Sequence, residues 1–444
     1  MTSIYHKIMM LAALSAGFVL TGCKDQPDAF ELTGGRPTIH YIRSVDVAEA
    51  DVLLTSAYMG NQICLVGENL RSIHEMIFND QKAILNTSLI TDNTLIVNVP
   101  NSIPEEVSHK IYMVTRDGET VDYDVSVLVP GPTISSMSCE YALPGTVATL
   151  TGDYFVDDPN VPFTLSIGDV PVTEIRSIEK NKVTFVVPEA PEAKIEVSTI
   201  YGTATSSFQY KDTRGMLFDF DGLTGLGNHG WHARDILTDD TAISGNYVRL
   251  GDGATEMSED GGWNDGQFSF EYWCGSWDTP QNVTSGDGIA LNNLVDFSDY
   301  ANMSLKFEMM IPSASAWSAG AMQICFEGYD LVTISGNPIE GYDGTPAGAN
   351  AWVFNNDNDK GVWGRALYRP WATSGSYHTE DKWITVTIPL TDFNYTYDGD
   401  PSNSVPNKPA DFASLTIFVL GGGINGTACT PLIKIDNIRV VPNR

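Results

Sequence analysis

The feature that most constrains the fold is an internal repeat. Pro37-Thr38-Ile39 is answered by Pro132-Thr133-Ile134, and Leu65-Val66-Gly67-Glu68-Asn69-Leu70 by Leu150-Thr151-Gly152-Asp153-Tyr154-Phe155. Leu95-Ile96-Val97-Asn98-Val99-Pro100 returns as Val183-Thr184-Phe185-Val186-Val187-Pro188. The offset is about 85–95 residues, the size of one small supersecondary unit. Each unit closes in alternating segments, 110–114 with 122–129 and 194–199 with 203–210. Period-2 alternation gives every strand one apolar face, so each unit must bury two sheets against each other. The first unit carries an insertion around residues 48–57.

Composition changes after Lys211-Asp212-Thr213-Arg214-Gly215. All nine tryptophans lie beyond it, at 231, 263, 273, 277, 317, 352, 363, 371 and 383. Strand-like runs at 216–220, 247–250, 267–273, 303–311, 321–326, 351–354, 383–390, 415–420 and 432–441 are separated by Gly- and Asn-rich loops. Such spacing predicts one large jelly-roll-like β-sandwich. With 56 acidic against 25 basic residues the net charge is −31, which repels phosphate backbones and argues against nucleic acid as a partner.

The order Pro-x-Ile, strand, Gly-x-x-Phe/Leu, strand, Val-Pro, strand pair resembles the IPT/TIG immunoglobulin-like domains over residues 37–210, more closely in the second copy. The expected fold is therefore all-β: two IPT/TIG-like sandwiches, 37–131 and 132–212, then a larger carbohydrate-binding sandwich, 213–444. The two repeats hold no constellation of His, Cys or paired acids and read as spacers.

The N-terminus has a basic start (His6, Lys7), an apolar run over 8–20 and Leu20-Thr21-Gly22-Cys23. The run is too short to span a bilayer comfortably. Its ending resembles the lipobox of bacterial lipoproteins, which implies a signal peptide over 1–22, lipidation at Cys23 and a tether over 23–36. Lys24-Asp25-Gln26-Pro27-Asp28 resembles the export signal of Bacteroidota surface lipoproteins, implying the outer face of the outer membrane. Apart from Cys23, five cysteines are widely spread with no Cys-x-x-Cys. That pattern fits neither a zinc site nor a disulfide scaffold; Cys64 and Cys325 read as buried thiols, and one C-terminal disulfide stays open.

Three framework pieces in the last domain, Phe218-Asp219-Phe220-Asp221-Gly222, Trp383-Ile384-Thr385-Val386-Thr387-Ile388-Pro389-Leu390 and Ile435-Asp436-Asn437-Ile438-Arg439-Val440, resemble carbohydrate-binding jelly rolls. With the lipobox and the tandem units, the chain resembles surface glycan-binding proteins of Bacteroidota polysaccharide-utilisation systems. The resemblance implies a non-catalytic polysaccharide binder beside a transporter of the SusC/SusD type, and no cofactor. Similar modules hold a structural Ca²⁺ near residues such as Asp219, Asp221 and Asp436; the plainer reading makes these ordinary turn and edge residues.

A pyranose has an apolar C–H face and a hydroxyl rim, so a sugar site needs an exposed aromatic ring beside polar side chains. Trp352, Trp363, Tyr368 and Trp371 have such neighbours and are the expected platform. Trp383 reads as core, Trp273 faces either way, Trp231 is a loop anchor or a rim contact, and Trp317 an exposed lid. Flat platforms favour β-linked backbones such as xyloglucan, other β-glucans or mannan. Two other classes stay open. A surface-anchored glycoside hydrolase would need two carboxylates facing a cleft, with Glu271, Asp299, Glu308 and Glu327 available. A protein-binding adhesin or scaffold would need a flat face. No Gly-x-Ser-x-Gly is present, and His229 and His232 are the one close histidine pair.

Overall fold

The computed structural model describes residues 31–443 except 50, 263, 280, 329–331, 336–362, 403–404 and 407. Cys23, Trp263 and Trp352 lie outside the described residues, as does the side chain of Trp363. The chain divides after Val129 into two compact units.

The first unit is one sandwich. Thr38–Ser44, Gln62–Glu68 and Thr94–Asn98 form one sheet; Gln81–Lys82, Ile73–Phe78, Lys110–Thr115 and Thr120–Asp124 form the other. The insertion supplies a short strand, Ser56–Tyr58, parallel to Ser126–Leu128. The second repeat builds the corresponding pair of sheets. Thr133–Met137, Val147–Asp153, Lys182–Val186 and Ile175–Glu179 face Val170–Pro171, Thr164–Ile167, Ala193–Thr199 and Gly202–Tyr210. The two first strands carry the same irregularity, after Ile39 and after Ile134.

In the second unit this repeat and the C-terminal sandwich form one body. One sheet of the latter runs Ile236–Leu237, Tyr247–Leu250, Ile433–Pro442, Met303–Met310, Ile384–Pro389, with Met216–Phe218 added to Ile433–Pro442. The other runs Ser269–Tyr272, Ser414–Leu420, Ala321–Glu327, Trp363–Tyr368. The core fills from Leu305, Phe307 and Met309 on the first sheet and from Phe270, Ile324 and Ile417 on the second.

Met303–Met310 is buried along its whole length because both its faces are covered. Leu305, Phe307 and Met309 point into the core, while Lys306 and Glu308 meet the IPT/TIG-like repeat. There the Arg439 guanidinium donates to Glu308 (2.8 and 3.1 Å) and to Glu140 of the repeat (2.8 Å). The Lys306 ammonium pairs with the other Glu140 oxygen. Thr385 N donates to Ser138 O (3.0 Å), and the Thr385 hydroxyl accepts from Glu140 N and donates to Glu308. A left-handed Asn437 (φ 51) interrupts the last strand two residues before Arg439, at the bulge in its pairing with Met303–Met310. The Asp-Asn-Ile-Arg motif is therefore the hinge pin of this joint.

Candidate functional site

One edge of the second C-terminal sheet is strand Ser269–Tyr272, and segment 228–232 lies beside it. His229 N donates to Glu271 O (3.1 Å), Trp273 N donates to His229 O (2.7 Å), and His229 pairs in parallel with Tyr272. Gly230 permits the approach: a Cβ there would stand 2.3 Å from the Glu271 Cβ. The segment is tied further by His232, whose backbone N and Nδ1 both meet the Glu271 carboxylate at 2.9 Å. Asn228 closes it by bonding both ways with the backbone of Arg234 (2.8 and 2.9 Å).

Beyond the same strand, the loop at 275–279 is fixed by Gly275 N donating to Gly288 O (2.9 Å) and Ser335 N donating to Trp277 O (2.8 Å). Together the two loops set Trp231 and Trp277 side by side. Their ring centroids are 5.9 Å apart with 30° between planes. Both are more than half exposed, at 55% and 57%. Two large apolar rings held open to water on pinned backbone have the form of a stacking platform.

The hydrolase reading named Glu271, Asp299, Glu308 and Glu327. Glu271 is fully buried and already accepts from His232 and Ser269 (2.9 Å). Burial pushes the Glu327 carboxyl up to about 8, and its side chain is wholly enclosed. Glu308 belongs to the joint, where burial raises it and Arg439 pulls against that rise. Asp299 is exposed and accepts from Asn302 (2.8 Å). Three of the four acids a hydrolase reading named are thus closed to a substrate.

The structure redistributes the expected platform. Residues 363–368 form a strand rather than the loop their composition suggested. Tyr368 packs on the core, where burial and neighbouring Tyr377 push its phenol upward. Trp371 is 3% exposed and donates its indole N–H to Gly320 O (2.8 Å), so it offers no ring face to a sugar. Trp317, expected as a lid, is fully buried with its N–H on Ala319 O (2.6 Å). Trp273 is buried, and Trp383 is partly exposed at the joint rather than in the core. Trp277 drew no notice in the sequence; its Gly-Ser-Trp-Asp-Thr-Pro turn was the available signal.

The calcium reading is not supported. Asp219 accepts from Leu223 N and Thr224 N, Asp221 from Asn246 N, and Asp436 from Ser244 Oγ and Asn437 N. Each carboxyl group is thus met by donors. Among the described residues no group of three His, Cys, Asp or Glu is placed to hold a metal. The His229 ring instead meets Trp273 O (2.6 Å).

Two family models match the chain. Residues 210–442 match the family described as the surface glycan-binding protein B xyloglucan binding domain, and residues 132–213 match the IPT/TIG domain. Among solved structures, the surface glycan-binding protein PbSGBP-B from Prevotella bryantii is 46% identical, with a TM-score of 0.82 over 93% of this chain and 100% of that one. An IPT/TIG domain-containing protein of Bacteroides ovatus is 30% identical over 215 residues. That alignment spans 44% of this chain and 42% of the relative's length.

Proposed function

The chain belongs to the surface glycan-binding protein B family, whose members bind glycans without cleaving them, and from that premise we propose that it captures a xyloglucan-class polysaccharide on the Trp231–Trp277 pair. The observation that carries this reading is the pair itself: two exposed indoles, 5.9 Å apart, at a sheet edge in the domain that matches the xyloglucan-binding family. Each indole covers the C–H face of one sugar, and polar side chains around them take the hydroxyls. Trp352 and Trp363 stay in the proposed platform; Tyr368 and Trp371 leave it, because their rings are spent on packing.

The same reading gives the anchor a role. Lipidation at Cys23 holds the protein at the outer membrane, facing outward beside a SusC/SusD-type transporter. Many anchored copies on one polymer raise the effective concentration, so modest affinity per copy suffices.

The test is native electrophoresis of the lipid-free chain in gels containing xyloglucan, other β-glucans or mannan, with Trp231→Ala and Trp277→Ala alongside. Retardation by xyloglucan that either substitution weakens by at least tenfold is expected. Retardation unchanged in both variants would remove the pair from the site. Retardation by another polysaccharide alone would replace the ligand, and released oligosaccharide would return the hydrolase reading.

A further inference from the structure

We propose that the cleft where the IPT/TIG-like repeat meets the C-terminal sandwich is a second saccharide-binding subsite, taking a short oligosaccharide segment. The inference rests on the reading that the chain binds polysaccharide, but uses none of the residues of the tryptophan pair.

The cleft encloses about 580 Å³, within the range of small-ligand sites. Leu143 and Val147 of the repeat form one wall and remain 45% and 53% exposed. Ile243 and Trp383 of the C-terminal sandwich form the other. The Trp383 indole is fixed in place, since its N–H donates to Thr241 O (2.7 Å) and its ring meets Tyr247 edge-on with centroids 6.0 Å apart. An immobilised aromatic facing aliphatic side chains suits the C–H face of a sugar ring.

The mouth of the cleft is polar. Turn 379–382 is closed by Lys382 N donating to Thr379 O (3.0 Å). Glu380 (φ 55) and Asp381 (φ 59) are consecutive left-handed residues, neither of them glycine. Such backbone is strained and persists only when its surroundings hold it. Here Asp381 is held by Ser313, whose backbone N donates to it at 2.8 Å. The turn presents His378, Glu380 and Lys382 around the opening. His378 Nδ1 accepts from Glu380 N (3.1 Å), which leaves the proton on Nε2 as a donor.

Donors and acceptors thus alternate around an apolar floor. A phosphate or other anion would meet Asp240, Glu380 and Asp381. A wholly apolar ligand would strip water from charged groups without replacing it, at a cost. Hydroxyls on an apolar ring satisfy both parts. The walls also keep their spacing: Thr385 N to Ser138 O and the buried Glu140–Arg439 pair lock the two sandwiches together. No ordering of domains is then charged against binding.

The test uses the full lipid-free chain labelled with 5-fluorotryptophan, titrated with a xyloglucan oligosaccharide and followed by ¹⁹F NMR. Single Trp→Phe variants assign Trp231, Trp277 and Trp383. The Trp383 resonance should shift in the Trp231→Ala/Trp277→Ala variant, where the pair cannot contribute. Leu143→Asp and Val147→Lys, at exposed positions, should weaken that response at least tenfold while leaving the shifts of Trp231 and Trp277 in the otherwise intact chain. A silent Trp383 beside responsive Trp231 and Trp277 overturns the cleft and leaves the pair standing. A Trp383 shift indifferent to both wall substitutions also overturns it. If none of the three signals moves, both sites fail.

Discussion

Arg439 reaches from the last strand of the C-terminal sandwich to Glu140 of the preceding repeat, 2.8 Å away, with both side chains at 3% exposure or less. Glu140 is the repeat's carboxylate in a network with Lys306, Glu308, Thr385 and Arg439, which come from the C-terminal sandwich. Removing one member of a buried ion pair leaves charge without compensation and typically costs about 3–5 kcal/mol. Glu140→Gln should therefore lower the unfolding free energy of the second unit, read from the shift of its urea midpoint, by an amount in that range. Affinity for polysaccharide at the tryptophan pair should be unchanged. An unaltered midpoint would show that the sandwiches are joined mainly by their apolar contacts.

Asp436 supplies a pH dependence. Burial, with the Glu308 and Asp221 charges adding to it, pushes its carboxyl up to about 9, against the bonds from Asn437 and Ser244. The folded protein thus keeps the proton up to about pH 9, while the unfolded chain releases it near 4. Between those values the unfolded state binds fewer protons, so this group's contribution to stability falls as pH rises. Asp436→Asn has the shape of the protonated acid and no such term. It should gain on the unmodified protein between pH 5 and pH 8 by at least about 1.4 kcal/mol, the worth of one pK unit. Urea denaturation at the two pH values measures it; parallel behaviour would mean the carboxyl is ionised in the fold.

The repeat makes a paired prediction. A Cβ on Gly67 would stand 1.9 Å from Thr38 O, and one on Gly152 would stand 1.9 Å from Thr133 O. Both glycines sit where the second strand crosses an irregular first strand, and two residues later Asn69 (φ 57) and Tyr154 (φ 59) turn left-handed. Gly67→Ala and Gly152→Ala should each destabilise by about 1–3 kcal/mol, the usual cost of overpacking. Each should act on its own unit, which two separable transitions in calorimetry would reveal.

These glycines also show how far the sequence could be read. A close backbone crossing demands glycine at a fixed offset, so the repeat was visible as spelling. Strands such as Tyr247–Leu250 were visible because apolar residues and turn residues alternate with them. The Trp231–Trp277 pair was not visible in the same way. Trp231 and Trp277 are 46 positions apart (277 − 231), and the pairing of segment 228–232 with strand Ser269–Tyr272 brings their loops together. Around residue 365 the composition, aromatics among polar residues, has two structural outcomes, an exposed site or an enclosed network. There the polar groups satisfy one another inside the fold, as when buried Arg365 donates to Gln323 and lies over the rings of Tyr397 and Phe418.

That contrast separates two kinds of tryptophan by experiment. Trp371 fills core space beside the second C-terminal sheet, and its N–H satisfies Gly320 O. Cutting it to alanine leaves a cavity and an orphaned carbonyl. Trp371→Ala should lose about 3–5 kcal/mol of stability, the range for large aromatic truncations in cores. Trp231 and Trp277 are exposed, so Trp231→Ala and Trp277→Ala should leave the unfolding free energy from urea denaturation within about 0.5 kcal/mol of the parent. Binding should show the opposite pattern. Whatever fraction of Trp371→Ala stays folded should hold polysaccharide with parental affinity, because the ring is enclosed in the fold. The two exposed variants should fold normally and bind at least tenfold more weakly. Measuring denaturation and gel retardation on the same preparations separates the cases, since a loss of binding in folded Trp371→Ala would place that indole back at the sugar.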